Sequence, residues 1–282
     1  MKDCVAIIGL GPAGISAAVQ LHRCGLRPDI YEPRKATGLL MNANLVENYP
    51  GFPEGIAGPK LMAAFLEQLD AYCPNIIRAS VTSLSHVRGK FIVTTAKGEK
   101  AYDQVILATG TEPMELGIPV PQGRLFYEVT EVPARFKRVV VIGGGDAAFD
   151  YALNLRSRGK RPVIICRGHA PRCLWLLFER AMEAGIPVLL GISVDKVTGE
   201  GPISLHLSVG SIPLVCHCIL AAIGRRPALG MLDKKLGVQV AKGVEVPGLY
   251  LAGDIHGGKY RQVAIAVGDG LKAAMMIIEA LS

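Results

Sequence analysis

Three glycines near the start of the chain have the spacing of a nucleotide-binding turn. Gly9, Gly11 and Gly14 follow an apolar stretch, Val5–Ile8, that reads as a short strand. In this pattern the first glycine permits a tight turn, the second lets the backbone approach a pyrophosphate, and the third lets a helix pack closely. Glu32 follows the next predicted strand and is placed to accept a hydrogen bond from a ribose hydroxyl. The pattern predicts a dinucleotide site at the start of this helix.

A second turn of the same kind lies far downstream. Gly143 and Gly145 follow an apolar strand, with Ala148 as a tolerated small residue in the third position. The strand after this turn ends in Arg167 rather than in an acid, which favours a 2′-phosphate and therefore NADP over NAD. The alternative, that Arg167 and Arg172 are solvated charges and this half binds no dinucleotide, stays open. The predicted contacts of the second site are Gly143, Gly145, Asp146, Ala147, Arg167, Arg172 and Gly224.

The elements around the two turns repeat one plan. Each turn lies in a strand–turn–helix–strand unit whose helix stops at a glycine, Gly25 or Gly159. Each unit is followed by short alternating strands and then by an apolar strand that closes on Gly110 or Gly224. This duplication predicts an α/β protein with two parallel-sheet domains.

The tail cannot form a core of its own, because it holds one strand ending at Gly253–Asp254 and one helix over 262–281. We therefore expect it to pack on the first half. The predicted domains are a discontinuous first domain, 1–111 and 229–282, interrupted by a second domain, 112–228.

Composition agrees with this plan. The 282 residues are half hydrophobic, with 33 glycines and a formal net charge of +7. A disordered chain, a coiled coil and a collagen-like repeat are excluded. The charge is too mild and dispersed to predict nucleic-acid binding. The seven cysteines do not have the spacing of a metal site. No apolar run reaches the roughly 18 residues of a membrane span. With no signal peptide apparent, we expect a cytoplasmic protein.

Two further motifs carry a family resemblance. Leu45–Phe52 (LVENYPGF), and Leu249–Asp254 (LYLAGD) followed by Tyr260–Gln262 (YRQ), resemble motifs of the low-molecular-weight thioredoxin reductases. The resemblance extends over essentially the whole chain. It implies two Rossmann-like domains of the three-layer ββα type, the second inserted into the first, with FAD in the first and NAD(P)H in the second. It also implies a homodimer formed largely through the FAD domains.

The resemblance assigns roles to individual residues. Asp254 would hold the ribityl chain of FAD, and Asn48 and Gln262 would lie near the isoalloxazine ring. The implied FAD contacts are Gly9, Gly11, Pro12, Ala13, Gly14, Glu32, Asn48, Val81, Thr109, Gly110, Gly253, Asp254, Arg261, Gln262 and Val263.

Two departures from the family pattern bear on binding. The family's Gly-Gly-Gln-Leu is Thr37-Gly38-Leu39-Leu40 here, which predicts the loss of a polar contact to the flavin. The family's NADPH motif, His-Arg-Arg followed by a further Arg, is Cys166-Arg167-Gly168 followed by Arg172.

The family's redox-active Cys-x-x-Cys is absent. Its place is Leu125–Pro133, which contains no cysteine, so thioredoxin reduction by the family's dithiol relay is excluded. Cys216 and Cys218 are expected to share one face of a single strand as buried hydrophobes, and the remaining cysteines near the N-terminus to pack in strands or helices. Tyr127, Glu128 and His256 are the weak catalytic candidates that remain.

Three functions are compatible with these residues. The leading prediction is an FAD-dependent oxidoreductase that takes hydride from NAD(P)H and passes electrons to a non-disulfide acceptor, such as a ferredoxin- or flavodoxin-like protein or a small molecule. An acidic electron carrier would suit the net positive charge. The alternatives are a non-catalytic or sensory FAD-binding protein whose second domain does not use NAD(P)H, and a flavoenzyme acting on a small organic substrate or cofactor precursor.

Overall fold

The computed structural model describes residues 4–34, 38–256, 258 and 260–282. Of the stretch Thr37–Leu40, where a polar contact to the flavin is predicted to be lost, Thr37 lies outside the described residues. The chain forms two compact units, and the sequence did not predict that the short segment 42–46 belongs to the second. The first unit is Met1–Met41, Glu47–Glu112 and Arg226–Ser282, and the second is Asn42–Val46 and Pro113–Arg225.

The described part of the chain consists of runs of short strands interrupted by helices. The strands are β1 Val5–Ile8, β2 Asp29–Tyr31, β3 Asn75–Ile77, β4 Val81–Val87, β5 Lys90–Thr95, β6 Gly98–Tyr102, β7 Gln104–Leu107, β8 Thr111–Pro113, β9 Leu125–Phe126, β10 Arg138–Ile142, β11 Arg161–Cys166, β12 Val188–Leu190, β13 Val194–Thr198, β14 Ile203–Leu207, β15 Leu214–Cys216, β16 Cys218–Ala221, β17 Arg225–Pro227 and β18 Leu249–Leu251. The helices are α1 Pro12–Arg23, α2 Gly58–Asp70, α3 Asp146–Ser157, α4 Trp175–Glu183, α5 Lys234–Ala241 and α6 Val263–Ala280.

The first unit is built on a parallel five-stranded sheet in the order β18-β7-β1-β2-β3. Every residue of β1 is buried, as expected for a strand covered on both faces. Ala6 and Ile8 face a core shared with the antiparallel meander β4-β5-β6. Helix α6 packs on α1, β7 and β18, and it approaches α1 so closely that a Cβ at Gly270 would lie 2.0 Å from the Ala13 carbonyl oxygen. The predicted docking of the tail helix therefore depends on this glycine.

The second unit repeats the arrangement with a sheet in the order β12-β11-β10-β16-β9. Along β10, Val139 and Val141 face a core with helices α3 and α4, while Val140 faces a core with the meander β13-β14-β15. The alternation of faces along one strand places the sheet between a helical layer and a second sheet. The predicted α/β class with two Rossmann-like, three-layer domains is confirmed.

Several local predictions were wrong. The expected single strand through 215–223 breaks at His217, whose backbone N–H donates to Arg138 O as the chain leaves the meander and enters the parallel sheet. Cys216 therefore packs on the meander side and Cys218 on the helical side, so they do not share a face.

The prediction that Cys4, Cys24 and Cys73 pack in strands or helices was also wrong, because all three are exposed. Cys24 caps the end of α1, and Cys73 lies in a turn with φ +49°. Helices α2, α4 and α5 were not predicted.

The chain crosses between the units at the short strands β8 and β17, which pair with each other. The unit boundaries, after Glu112 and after Arg225, fall inside these two strands. In the described part of the chain, no helix has both the length and the apolar character needed to cross a membrane.

Candidate functional site

The first glycine turn is shaped by contacts that only glycine allows. Gly9 has φ +101°, and a Cβ there would lie 2.4 Å from the Ala108 carbonyl oxygen. A Cβ at Gly14 would lie 2.1 Å from the Gly9 carbonyl oxygen. At Gly11, by contrast, nothing lies within 4 Å of a Cβ. Gly9 and Gly14 are thus required by packing, whereas Gly11 leaves open space beside the backbone.

The helix that follows this turn begins without a side-chain cap. Gly11 is its N-cap residue and Pro12 its first residue, so the remaining first-turn N–H groups have no side-chain acceptor from the cap. Ala13 is buried beside Gly253, which has φ +79° and whose Cβ would lie 3.0 Å from the Ala13 Cβ. The end of β18 is therefore held against the start of α1.

Glu32 follows β2 and reaches the same turn. The residue is 5% exposed, and its carboxylate accepts from the backbone N–H of Leu10 at 3.2 Å and of Arg34 at 3.1 Å. Leu10 lies inside the glycine turn, so the acid predicted from its spacing stands directly beside it.

Asn48 and Gln262, predicted to lie near one ring system, are in contact with each other. The Asn48 Nδ2 donates to the Gln262 Oε1 at 2.9 Å. Gln262 is the N-cap residue of α6, between Arg261 and Val263, the first residue of that helix.

Most other residues predicted for the first site follow parallel strands. Thr109 and Gly110 follow β7, where the Thr109 hydroxyl donates to Ala228 O at 2.9 Å. Asp254 follows β18 and is half-buried. The carboxyl ends of β1, β2, β7 and β18 meet at one edge of a parallel sheet, which is the edge where such sheets bind ligands. Val81 lies elsewhere, as the half-buried first residue of β4.

The second glycine turn has the same steric features as the first. Gly143 has φ +154°, and a Cβ there would lie 2.4 Å from the Ala222 carbonyl oxygen, while nothing lies within 4 Å of a Cβ at Gly145. Asp146 and the exposed Ala147 begin α3. Gly224, with φ +129°, follows β16 in the same unit.

The loop that follows β11 is hydrogen-bonded to this second turn and to the first residue of α3. The Arg172 N–H donates to Gly144 O at 2.7 Å, and the Leu174 N–H donates to the Asp146 Oδ1 at 2.8 Å. Arg167 and Arg172 are both exposed, and neither forms an ion pair with any residue that the structure describes. The Arg172 backbone therefore lies against the turn, and Arg167 follows Cys166, whose sulfur lies beside Gly144.

The weak catalytic candidates are engaged in structural bonds. The Tyr127 hydroxyl accepts from the Leu116 N–H at 3.0 Å. Glu128 pairs with Arg225 at 2.9 Å, and both side chains are 17% exposed. Its other carboxylate oxygen accepts from the Asn42 side-chain amide.

His256, the third weak candidate, lies in the first unit, where its Nε2 is 3.1 Å from Leu251 O. The same nitrogen is 3.9 Å from the Asp269 carboxylate.

The polar cluster around Asn42 was not predicted. Asn42 is 3% exposed, and its carbonyl accepts from the Asn154 side chain at 2.8 Å. Nearby, Asp150 accepts from the Asn44 N–H at 2.9 Å, and burial raises the pKa of Asp150 to about 6. These partners are about a hundred residues apart, so no local pattern in the sequence marks them.

Cys216 and Cys218 of the second unit do not form a reactive pair. Val129, inside the cysteine-free stretch Leu125–Pro133, is fully buried in the helical-side core. Burial raises the pKa of Cys216 and of Cys218 to about 12, which keeps both as unreactive thiols at neutral pH.

Known proteins resemble this chain along almost its whole length. Residues 3–270 match the family described as "Pyridine nucleotide-disulphide oxidoreductase". The thioredoxin reductase of Treponema pallidum is 32% identical over 289 residues, covering 96% of this chain and 94% of the relative. That of Pneumocystis carinii is 29% identical over 310 residues, covering 98% and 94%. The crystal structure of Lactococcus lactis thioredoxin reductase matches with a TM-score of 0.88 at 27% identity, over 99% of this chain and 98% of that one.

The family match, the relatives and the fold agree with the two glycine turns at the carboxyl edges of two parallel sheets. This protein belongs to the pyridine nucleotide-disulphide oxidoreductases, a family of flavin-dependent NAD(P)H oxidoreductases, and within it to the thioredoxin reductase-like proteins.

Proposed function

We propose that this protein is an FAD-dependent oxidoreductase that accepts hydride from NAD(P)H and passes electrons to an acceptor that is not a disulfide. Two observations carry the proposal. Each unit has a glycine turn whose second glycine, Gly11 or Gly145, leaves open the side that a pyrophosphate needs. The stretch Leu125–Pro133 contains no cysteine to relay electrons to a disulfide.

The first unit is proposed as the FAD domain and the second as the NAD(P)H domain. Bound FAD would supply the capacity to accept a hydride and to release electrons singly or in pairs. The chain would supply the binding: Gly11 and the first-turn N–H groups of α1 for the pyrophosphate, and Glu32 for a ribose hydroxyl. Asp254 would hold the ribityl chain, and the Asn48–Gln262 pair would lie beside the ring.

The remaining residues predicted to contact FAD lie on the same elements or beside them. They are Gly9, Pro12, Ala13, Gly14, Val81, Thr109, Gly110, Gly253, Arg261 and Val263.

The second site is proposed to prefer NADPH. Arg167 and Arg172 stand exposed beside a turn onto which the Arg172 backbone is hydrogen-bonded. Guanidinium groups bind a 2′-phosphate through paired hydrogen bonds, whereas the 2′-hydroxyl of NADH usually meets a carboxylate. No acid takes that place after β11, where the chain reads Cys166-Arg167.

The acceptor is proposed to be a ferredoxin- or flavodoxin-like protein or a small molecule. The net charge of +7 would favour encounter with an acidic carrier protein.

The protein is also proposed to form a homodimer through α6. Leu271, Met275 and Met276 on this helix are 40–55% exposed and line a groove of about 470 Å³. Lys272 and Glu279 line the same groove. A twofold axis would place the lysine of one copy near the glutamate of the other, as a self-complementary interface requires.

Anaerobic titration of the purified flavoprotein tests the function. We expect NADPH to bleach the flavin absorption, and NADH to do so only at higher concentration. Arg167→Gln should bring the NADPH and NADH concentrations needed to bleach the flavin closer together. Arg88→Gln, on a surface turn of the first unit, should leave both concentrations unchanged.

Each other outcome has a defined meaning. If the protein retains FAD but neither nucleotide bleaches it, the oxidoreductase proposal fails and the non-catalytic alternative takes its place. If bleaching occurs, turnover with ferredoxin, flavodoxin, a quinone or oxygen identifies the acceptor, and turnover of thioredoxin would contradict the proposed non-disulfide outlet.

A further inference from the structure

Trp175, the single tryptophan of the chain, lies exposed beside the second glycine turn. It is the first residue of α4 and is 67% exposed. Its neighbours Leu174 and Leu176 are 63% and 45% exposed. An exposed cluster of large apolar side chains of this kind marks a contact surface more often than an ordinary solvated face.

Two hydrogen bonds donated by backbone N–H groups fix the position of the Trp175 backbone. The Arg172 N–H donates to Gly144 O, and the Leu174 N–H donates to the Asp146 carboxylate. Both acceptors belong to the turn and first residue of α3. Trp175 is the next residue along the chain, so its backbone is held close to the end of the helix at which a dinucleotide's phosphates bind.

The indole is supported from the protein side. Its ring centroid lies 5.4 Å from that of Phe178 with an interplanar angle of 31°. Phe178 in turn lies 6.0 Å from Phe149, which is fully buried in the helical-side core. A large aromatic ring is thus backed by a chain of aromatic contacts while most of its surface faces solvent.

We infer that Trp175 is a stacking platform for the adenine ring of the dinucleotide that binds the second unit. This inference rests on the proposed NAD(P)H site and adds the residue that would recognise the base. Stacking on an indole needs only a flat π system, so it does not sense the 2′-phosphate. Trp175 would therefore strengthen NADPH and NADH binding alike, while Arg167 and Arg172 distinguish between them.

The single tryptophan makes the test direct. The holoprotein is titrated with 5′-AMP, which carries adenine, and with nicotinamide mononucleotide, which does not, while tryptophan fluorescence is recorded. We expect 5′-AMP to change the Trp175 emission at saturation and nicotinamide mononucleotide to leave it unchanged. By calorimetry, Trp175→Ala should weaken 2′,5′-ADP and 5′-AMP binding about tenfold each. Trp175→Phe should retain most of the affinity, and Met182→Ala, exposed further along the same helix, is the matched control that should leave it unchanged.

The outcomes separate this inference from the proposed function. If Trp175→Ala binds 2′,5′-ADP within twofold of the parent, the stacking role is overturned, even where NADPH still bleaches the flavin. A fluorescence change with nicotinamide mononucleotide equal to that with 5′-AMP would also overturn it. If adenine nucleotides bind through Trp175 but NADPH does not bleach the flavin, the inference stands and the oxidoreductase proposal fails. If no adenine nucleotide binds, both fail.

Discussion

The side-chain amide of Asn48 donates a 2.9 Å hydrogen bond to the side-chain oxygen of Gln262, which lies 214 residues further along the chain. Asn48 lies in the loop before α2, and Gln262 caps α6. The sequence predicted that both residues lie near one ring system. The fold brings them into direct contact, so they form one polar surface rather than two independent ones.

We expect the Asn48–Gln262 pair to matter more for flavin retention than for folding. The bond is exposed, so removing it should change the free energy of unfolding by less than about 1 kcal/mol. Asn48→Ala and Gln262→Ala should each lower the flavin content after dialysis, and the double variant should lose less than the sum of the two. Thr94→Val, which removes an exposed 3.0 Å bond to Glu99, is the control. Unchanged flavin content in all variants would remove the pair from the site.

Substitution of two glycines in the first turn should affect FAD binding in one case and stability in the other. Gly11→Ala has open space and an ordinary φ of −77°, so the variant should fold but bind FAD weakly. Gly14→Ala must displace the Gly9 carbonyl oxygen, 2.1 Å from the new Cβ, and should be destabilised by several kcal/mol, roughly as in an overpacked core. Thermal unfolding and flavin absorption measure the two effects. A Gly11→Ala protein that binds FAD normally would contradict the assignment.

Asp150 should make the free energy of unfolding depend on pH between about pH 4 and pH 6. Burial raises its pKa to about 6, above the value near 3.9 in an unfolded chain. Between these values the folded protein holds the extra proton, so this group's contribution to stability declines as pH rises from about 4 through about 6. Asp150→Asn replaces the titrating carboxylate by a neutral amide, so the decline in stability with rising pH should disappear. The amide oxygen can still accept from the Asn44 N–H.

Urea unfolding measures the consequence. The variant should be more stable relative to the parent at pH 8 than at pH 4.5, by on the order of 2 kcal/mol. A difference that is equal at the two pH values would show that Asp150 does not titrate in this range.

Lys160 should be a structural cation of the second unit. It is 5% exposed, and its ammonium group donates to Pro133 O and Phe136 O at 2.8 Å each. Lys160→Met would leave these carbonyls without a donor and should cost about 2–4 kcal/mol in chemical denaturation. Lys137→Met, an exposed neighbour, should change stability by less than about 0.5 kcal/mol. Equal effects of the two variants would refute the role.

Charge reversal on α6 should test the proposed homodimer. Lys272→Glu should weaken association, because each copy would then place two acids at the self-complementary contact. Adding Glu279→Lys should restore it. Met275→Glu should give a monomer, whereas Met182→Glu, 41% exposed on α4, should not. Sedimentation equilibrium distinguishes these states, and a parent protein that is monomeric at micromolar concentration would exclude the interface.

The sequence alone determined the parts of this protein that depend on neighbouring residues. The two glycine turns, the helices that follow them and Glu32 could be placed because a tight turn, a close helix packing and a strand end each depend on a few adjacent residues. The absence of a cysteine between Leu125 and Pro133 is also a local fact, and the proposed non-disulfide acceptor rests on it.

Contacts between distant segments could not be read from that local information. Asn48 meets Gln262 across 214 residues and Arg225 meets Glu128 across 97, because the tertiary fold brings together segments that are far apart in the chain. The break at His217 shows the same limit, since an apolar run does not reveal that its two halves join different sheets.

The tertiary structure therefore determines which candidate side chains are engaged in hydrogen bonds or ion pairs and which are exposed to solvent. Tyr127, Glu128 and His256 each have a hydrogen-bond partner within their own unit, whereas Arg167, Arg172 and Trp175 are exposed. The physical reason is that burial and hydrogen bonding depend on the three-dimensional surroundings of a side chain, whereas a sequence motif specifies only the local backbone.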